Sequence, residues 1–404
     1  MKNKNLKSRK LILAGILGVL FLAALACGEF TVNIETPSVD APEEPTKTPA
    51  VELFTPTPPS GTDWFSFASK ADVQLPEALA GLMYRLGDNL YLVDRNGMPM
   101  VVASQIYDAS LSPDLSRLAF ASNEEDLFVR DLNTGEVTQL TDTPDTLERG
   151  VEWWQARPDV IVFNEMPAES LGPWAGFLGA YEFQSGELRT LDTVSDSYNG
   201  FAVSPNGNAI LYDDAGEPVI YTWGGGVTKL NLKSHNFIYE NYHAPTWSPD
   251  GTRAAFVAVG YDENSTSGAS QAAVVIYRLS DGQVELRHEF ELYGLRGEPQ
   301  IAWSPDGNYL AVTTPGDPTI ASGPVSLWVI SMLGEDDRLL GYSTDPIWSP
   351  DGKYLIYVHW PDFGSEQGSY QQDAHVTYLE TGVWNPQEVP DLLGSSLMAW
   401  YPLP

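Results

Sequence analysis

The sequence predicts an all-β fold: a seven-bladed β-propeller, six-bladed as the alternative, closed by N- and C-terminal strands. Three observations predict it. The run Trp-Ser-Pro-Asp-Gly begins at Trp247, Trp303 and Trp348, and looser copies stand at Ser112 and Ser204, with a degraded one at Arg157. The copies recur at steps of 45, 47, 44, 56 and 45 residues, a period that fits several strands per unit. Each copy also leads into a strand apolar on both faces, such as Leu118–Phe120, Ile210–Tyr212, Leu310–Val312 and Leu355–Tyr357. A surface strand would alternate with polar residues, whereas one pressed by neighbours on both sides need not.

The elements follow in chain order. Lys2, Lys4, Lys7, Arg9 and Lys10 precede a 16-residue apolar run, LILAGILGVLFLAALA, which ends at Cys27. That run is short for a membrane span and suits the core of an export signal. Ala24-Leu25-Ala26-Cys27 resembles a bacterial lipobox, with Ala24 and Leu25 departing from the usual order. The resemblance implies a signal peptide at 1–26 and lipidation at Cys27. An ordinary signal peptide or an uncleaved anchor is the alternative. As the only cysteine, Cys27 leaves no internal disulfide. The expected location is extracytoplasmic, on the bacterial cell membrane or outer membrane, through a lipid anchor.

Residues 27–63 read as a stalk. Between Thr36 and Ser60 lie seven prolines and five threonines, a composition that favours extended polyproline-like conformers at about 3.1 Å per residue. The remaining residues, 64–404, form the propeller. Proline presets φ at the first central turn position, aspartate suits the second and glycine follows at the exit. The tryptophan before each turn has a fixed structural place, so it reads as core. Ala255 and Ala311 are small where another sheet must approach. Residues 79–104 read as three strands lacking a first, and SSLMAWYPLP at the end reads as one strand with Trp400 in the expected place. The two fragments complete one blade, which removes exposed sheet edges.

The Ser-Pro-Asp-Gly units resemble the WD-repeat-like blades of the TolB family of periplasmic propellers, over roughly residues 79–404. The resemblance implies the fold and an extracytoplasmic protein-binding scaffold. The α/β domain of TolB proteins has no counterpart, and the lipobox and stalk stand in its place. The units also resemble propellers of prolyl-oligopeptidase-type hydrolases. Those enzymes need a Gly-x-Ser-x-Gly elbow, which does not occur in this sequence.

Charge narrows the function. With five of the 22 basic residues in the signal, the mature chain has 17 against 54 acidic residues, a net charge of −37. Such a chain is repelled by nucleic acid and anionic bilayers. His235, His243, His288, His359 and His375 show no metal-ligand spacing, and the acidic stretches at 261 and 334 miss the calcium-loop pattern. No metal or cofactor is expected.

Extra sequence gathers in the second-to-third strand connections and in one connection between units, which share one edge of the fold and often make a binding surface. The candidate residues there are Trp174, Phe177, Tyr239, Tyr242, Tyr261, Asp262, Trp360, Asp362, Phe363 and Tyr370. Either these aromatics meet a partner, or they fold back and pack the connections. The expected function is a non-catalytic, monomeric binding scaffold for a protein, peptide or glycan. The alternative is a propeller enzyme acting on extracellular polysaccharide through two inward carboxylates, for which Asp262, Glu263 and Asp362 are the first acids to measure.

Overall fold

A computed structural model describes residues 73–122, 126–143, 145–167, 176–194, 200–214, 217–232, 239–261, 270–292, 299–314, 325–334, 336–360 and 374–403. All belong to the second of two chain units, Phe54–Pro404. The signal and stalk calls, Cys27 included, lie outside the described residues.

Among the described residues the fold is all-β. The strands in chain order are β1 Leu82–Leu86, β2 Asn89–Val93, β3 Pro99–Ser104; β4 Ile106–Leu111, β5 Arg117–Ser122, β6 Leu127–Asp131, β7 Val137–Gln139; β8 Thr146–Trp153, β9 Val160–Pro167, β10 Gly176–Glu182, β11 Glu187–Val194; β12 Phe201–Val203, β13 Ala209–Asp214, β14 Glu217–Thr222, β15 Gly226–Lys229; β16 Tyr239–Trp247, β17 Arg253–Tyr261, β18 Ser270–Arg278, β19 Val284–Leu292; β20 Ile301–Trp303, β21 Tyr309–Thr314, β22 Ser326–Ser331, β23 Arg338–Trp348; β24 Tyr354–His359, β25 His375–Glu380, β26 Gln387–Glu388 and β27 Ser396–Trp400. They form antiparallel four-stranded sheets in sequence order, except that β27 joins β1 and heads the first sheet. β23 pairs with β22 at Arg338–Tyr342 and with β24 at Ser343–Trp348, so two four-stranded sets share it in one seven-stranded sheet.

The β1–β27 register is Leu82 opposite Trp400 and Tyr84 opposite Leu397, with a bulge between. The closure expected from the two end fragments is therefore present. It depends on Gly81, at φ +85°, where a Cβ would stand 2.0 Å from the Tyr401 carbonyl oxygen.

The Ser-Pro-Asp-Gly turn is explained by its serine. Ser112, Ser248, Ser304 and Ser349 donate Oγ–H to Asp114, Asp250, Asp306 and Asp351 at 2.6 Å, and Ser204 to Asn206 at 2.9 Å. Each Oγ also accepts the backbone N–H five residues on, at 2.8–3.0 Å. The serines are buried, so the turn meets its polar needs internally. The glycine at the exit has φ between +66° and +77° in four copies, and Leu115 takes the same conformation at +58° in the fifth.

The degraded copy is shifted. Ser112, Ser204, Ser248, Ser304 and Ser349 donate N–H to the carbonyl five residues on, whereas Trp154 donates to Val160, six residues on. The structural counterpart of Ser112 is therefore Trp154, not Arg157, and Trp153 corresponds to Trp247, Trp303 and Trp348. A turn one residue longer and without serine hides this in the sequence.

Buried apolar residues collect between sheets. One cluster joins Leu92 to Leu118 and Phe120, the next Val129 to Ile161, the next Val162 to Tyr212, and the next Leu211 to Phe256. Ala255 then meets Leu310, Ala311 meets Leu355, and Ile356 meets Leu82 and Trp400. The tryptophans are nearly buried; Trp247 Nε1 donates across a seam to Ala202 O at 2.9 Å and Trp348 Nε1 to Ala302 O at 3.1 Å, while Trp400 Nε1 donates within its own sheet to Ala80 O at 2.8 Å.

Candidate functional site

The first strand of each four-stranded set, which for β23 means its Ser343–Trp348 part, pairs on one side only, so its other edge offers unpaired backbone groups. Those strands lie against one another in succession: β4 against β8, β12 against β16, β16 against β20, β20 against β23, β23 against β27. Side chains answer the free edges. The Leu111 N–H donates to Tyr401 Oη at 3.1 Å, and the Trp153 N–H to Ser110 Oγ at 2.9 Å. Asp108 receives the Val151 N–H at 3.0 Å and its own neighbour Ala109 N–H at 2.9 Å, and Glu152 receives the Val203 N–H.

These residues line one cavity of about 390 Å³, bounded by β4, β8, β12 and the end of β27. Asp108 and Glu152 supply its carboxyl groups, Ser110, Gln155, Asn164 and Tyr401 its neutral polar groups, and Phe201 and Met398 part of its apolar wall; among the described residues no basic side chain lines it. Burial raises the Glu152 carboxyl to about 8, and the nearby Asp108 charge adds to the shift against the Val203 N–H. Burial also raises Asp108, against three backbone N–H bonds and the more distant Arg85. Burial raises the Tyr401 phenol, with Glu152 and Asp108 contributing. At neutral pH Glu152 is thus mostly a neutral acid, able both to donate and to accept.

A second raised carboxyl, Glu148, lies further up β8. It is fully buried and is moved to about 7 by burial. Thr143 Oγ1 donates to it at 2.6 Å, and its Oε2 has no hydrogen-bond partner among the described residues. Among the described residues no group of three or more His, Cys, Asp or Glu is arranged to hold a metal ion.

The candidate residues from the sequence fare differently. Trp174, Asp262, Phe363, Asp362 and Tyr370 lie outside the described residues, as does Glu263. Tyr239 and Tyr261 fall at the ends of β16 and β17, and Phe177 is half-buried in β10. Tyr242 is fully buried, edge-on to Phe256 at 6.3 Å, with burial pushing its phenol to about 12. Its ring belongs to the core between two sheets, which corrects its place on a binding face. Trp360 is half-buried against the cluster at Ile356 and Val358, and its buried Nε1 has no hydrogen-bond partner among the described residues. His359 and His375 stand opposite each other on β24 and β25, with Ser343 Oγ 3.1 Å from His359 Nδ1.

Asp108, Glu152 and Tyr401 were not apparent from sequence. At the position of Glu152 the other first strands carry Ser110, Ala202, Thr246, Ala302, Ile347 and Ala399, so a charged residue there is the signal. It becomes visible only when Trp154 is aligned with Ser112.

No family model matches the chain. The uncharacterized peptidase YuxL of Bacillus subtilis (strain 168) is 32% identical over 118 residues. That stretch is 28% of this chain and spans only 16% of the curated relative. An oligogalacturonate lyase in complex with manganese superposes with a TM-score of 0.56 at 13% identity, covering 77% of this chain and 89% of that one. TolB from Acinetobacter baumannii aligns over 73% of this chain and 66% of that one, at 18% identity and a TM-score of 0.44. With the sheet order above, the lyase likeness defines the class: this chain has a β-propeller fold.

Proposed function

We propose that the protein is an extracytoplasmic, lipid-anchored, non-catalytic scaffold that binds a protein, peptide or glycan, with the carboxyl-lined cavity receiving a projecting group of that partner. The observation that carries this reading is the cavity itself: a concave site among paired strands, with a few polar groups against an apolar wall. The seven-bladed count belongs to the same proposal. It is supported by core clusters that each join two neighbouring sheets and return to the first at Trp400. Residues 1–26 act as signal peptide, Cys27 carries the lipid and 27–63 form the stalk. The connections bearing Trp174, Tyr239, Tyr261, Asp262, Asp362, Phe363 and Tyr370, with Phe177 and Trp360 beside them, form the wider contact surface. The scaffold acts as a monomer.

Two measurements test this. Metabolic palmitate labelling of the wild type and Cys27→Ser gives label in the first alone; label retained by the variant overturns the anchor. Capture of envelope peptides and glycans by the purified full chain falls on Asp108→Asn. Capture unaffected by that change places the partner elsewhere.

A second reading is favoured by Asp108 and Glu152 sharing the cavity: a polysaccharide enzyme with Glu152 as general acid and Asp108 as its carboxylate partner. The absence of a basic side chain from the lining suits a neutral chain better than a polyanionic oligogalacturonate. New reducing ends from neutral polysaccharide, lost in Glu152→Gln, are the expected result; none above the variant's level removes this reading.

A further inference from the structure

The cavity reading can be taken to a ligand class, and this step rests on it. The lining is chemically one-sided. Two half-buried carboxyl groups share it, and among the described residues the lining supplies no lysine, arginine or histidine to balance them. The backbone donors that face them are already used: Ala109 and Val151 N–H on Asp108, Val203 N–H on Glu152, Leu111 N–H on Tyr401 Oη and Trp153 N–H on Ser110 Oγ. Asp108 and Glu152 keep acceptor capacity on this wall, since an ionised carboxylate has about four lone-pair sites and a protonated one keeps part of them, and the Gln155 and Asn164 side-chain carbonyls add to it. Phe201 and Met398 in the same lining suit the methylene stem of a long side chain.

We infer that the cavity binds a primary ammonium group carried on an aliphatic stem, as on a lysine side chain of a peptide partner. Three donors of an ammonium match the surplus of acceptors, and the stem matches the apolar wall. The mature chain's charge of −37 draws such a partner in and disfavours an anionic one. The charged and titratable groups around the pair are Asp108 from β4, Glu152 from β8, Tyr401 following β27 and, further off, Arg85 from β1. Among the described residues named here, Arg85 alone opposes the ligand's charge.

The inference carries its own signature. Glu152 is mostly protonated at pH 7, and a cation beside it favours the ionised form. Binding therefore releases part of a proton, whereas a neutral ligand releases none.

The experiment is titration calorimetry of the full chain at pH 7 in two buffers of different ionisation enthalpy. The probes are N-acetyl-lysine methylamide, cadaverine, and N-acetyl-norleucine methylamide as the uncharged control. Lysine amide binding with proton release, and the norleucine probe binding at least about ten-fold more weakly, is the result expected. Asp108→Asn weakens the lysine probe by a similar factor, and Glu152→Gln abolishes the proton release. Cadaverine binding as tightly as the lysine probe assigns the site to a free diamine, and weaker binding to a peptide side chain; both keep the ammonium assignment. Equal binding of the norleucine probe overturns the ammonium class while the cavity reading stands. Absence of lysine binding, with a neutral oligosaccharide bound in an Asp108-dependent way, does the same. If Asp108→Asn and Glu152→Gln change the binding of none of the probes, the cavity reading falls with it.

Discussion

Ser248 shows what one hydroxyl does in this molecule. It donates to Asp250 and accepts from the Arg253 N–H, both inside the turn. Ser248→Ala leaves that N–H without its acceptor beside a buried strand start, at a cost of about 1–3 kcal/mol. A lower denaturant midpoint with unchanged slope is the expected readout, and no shift means water replaces the hydroxyl. The glycine of the same turn is fixed by backbone angle. Gly251, at φ +66°, would also bring a Cβ to 3.2 Å from the Asn206 amide. Gly251→Ala therefore costs more than Gly307→Ala, where nothing is nearer than 3.9 Å and only the left-handed penalty of about 1–2 kcal/mol applies. Equal losses from the two would show that the neighbouring loop gives way.

Glu152 makes a residue-scale statement about pH. Its carboxyl is held at about 8 in the fold, against an ordinary value of 4.5. Between those values the native state keeps a proton that the unfolded chain has released, so stability falls as pH rises across the window. The contribution is complete below 4.5 and gone above about 8. Urea midpoints from pH 5 to 9 should therefore decline more steeply for wild type than for Glu152→Gln. Parallel curves would mean that Glu152 ionises normally. Glu148 acts with the same sign up to about 7.

At the scale of elements, sequence and structure part at specific places. Strands after good copies of the turn were legible because proline, aspartate and glycine leave few backbone choices. The β8 turn was misplaced by three residues because it keeps none of that chemistry except Pro158 and Asp159, and those two sit in a longer loop. That shift conceals Trp153 as a seam tryptophan and Glu152 as the charged residue among uncharged ones at that first-strand position. Tyr242 was misjudged for another reason. A tyrosine within a polar stretch looks exposed, but its strand turns that ring against Phe256.

The first strands also show why polar residues sit near the fold's axis. Their free edges must be answered, and Ser110, Asp108, Glu152 and Tyr401 answer them from the preceding or following sheet. The same groups that complete the edges thus create the cavity. At the seam between β1 and β27, Gly81→Ala would drive a Cβ into the Tyr401 carbonyl, a backbone collision with no rotamer to relieve it. We expect that variant to lose cooperative melting of the whole domain, whereas Gly87→Ala, with nothing within 4 Å of its Cβ, keeps it. Similar melting of both would mean that the seam does not hold the domain together.

For the whole molecule, closure is the main question of stability. β27 contributes Leu397 and Trp400 to one core cluster, and Met398 and Ala399 pack on another. Removing residues 396–404 exposes the edge of β1 and uncaps both clusters. The shortened chain should aggregate or melt broadly, and an added peptide of sequence SLMAWYPLP should restore a sharp transition by strand addition. A shortened chain that melts as sharply as the full one would show that the other seams suffice.

The sequence by itself determined the all-β class, the repeat period, the turn chemistry and the pairing of the two chain ends. Each of these follows from short-range rules: fixed φ at proline, left-handed φ at glycine, and apolar strands needing cover on both faces. Only the tertiary structure decided that Trp154 takes a serine's place, that Tyr242 is core, and that Asp108, Glu152 and Tyr401 share one cavity. Those three residues are up to 293 positions apart, and their raised pKa values come from burial that arises only when the first strands pack side by side.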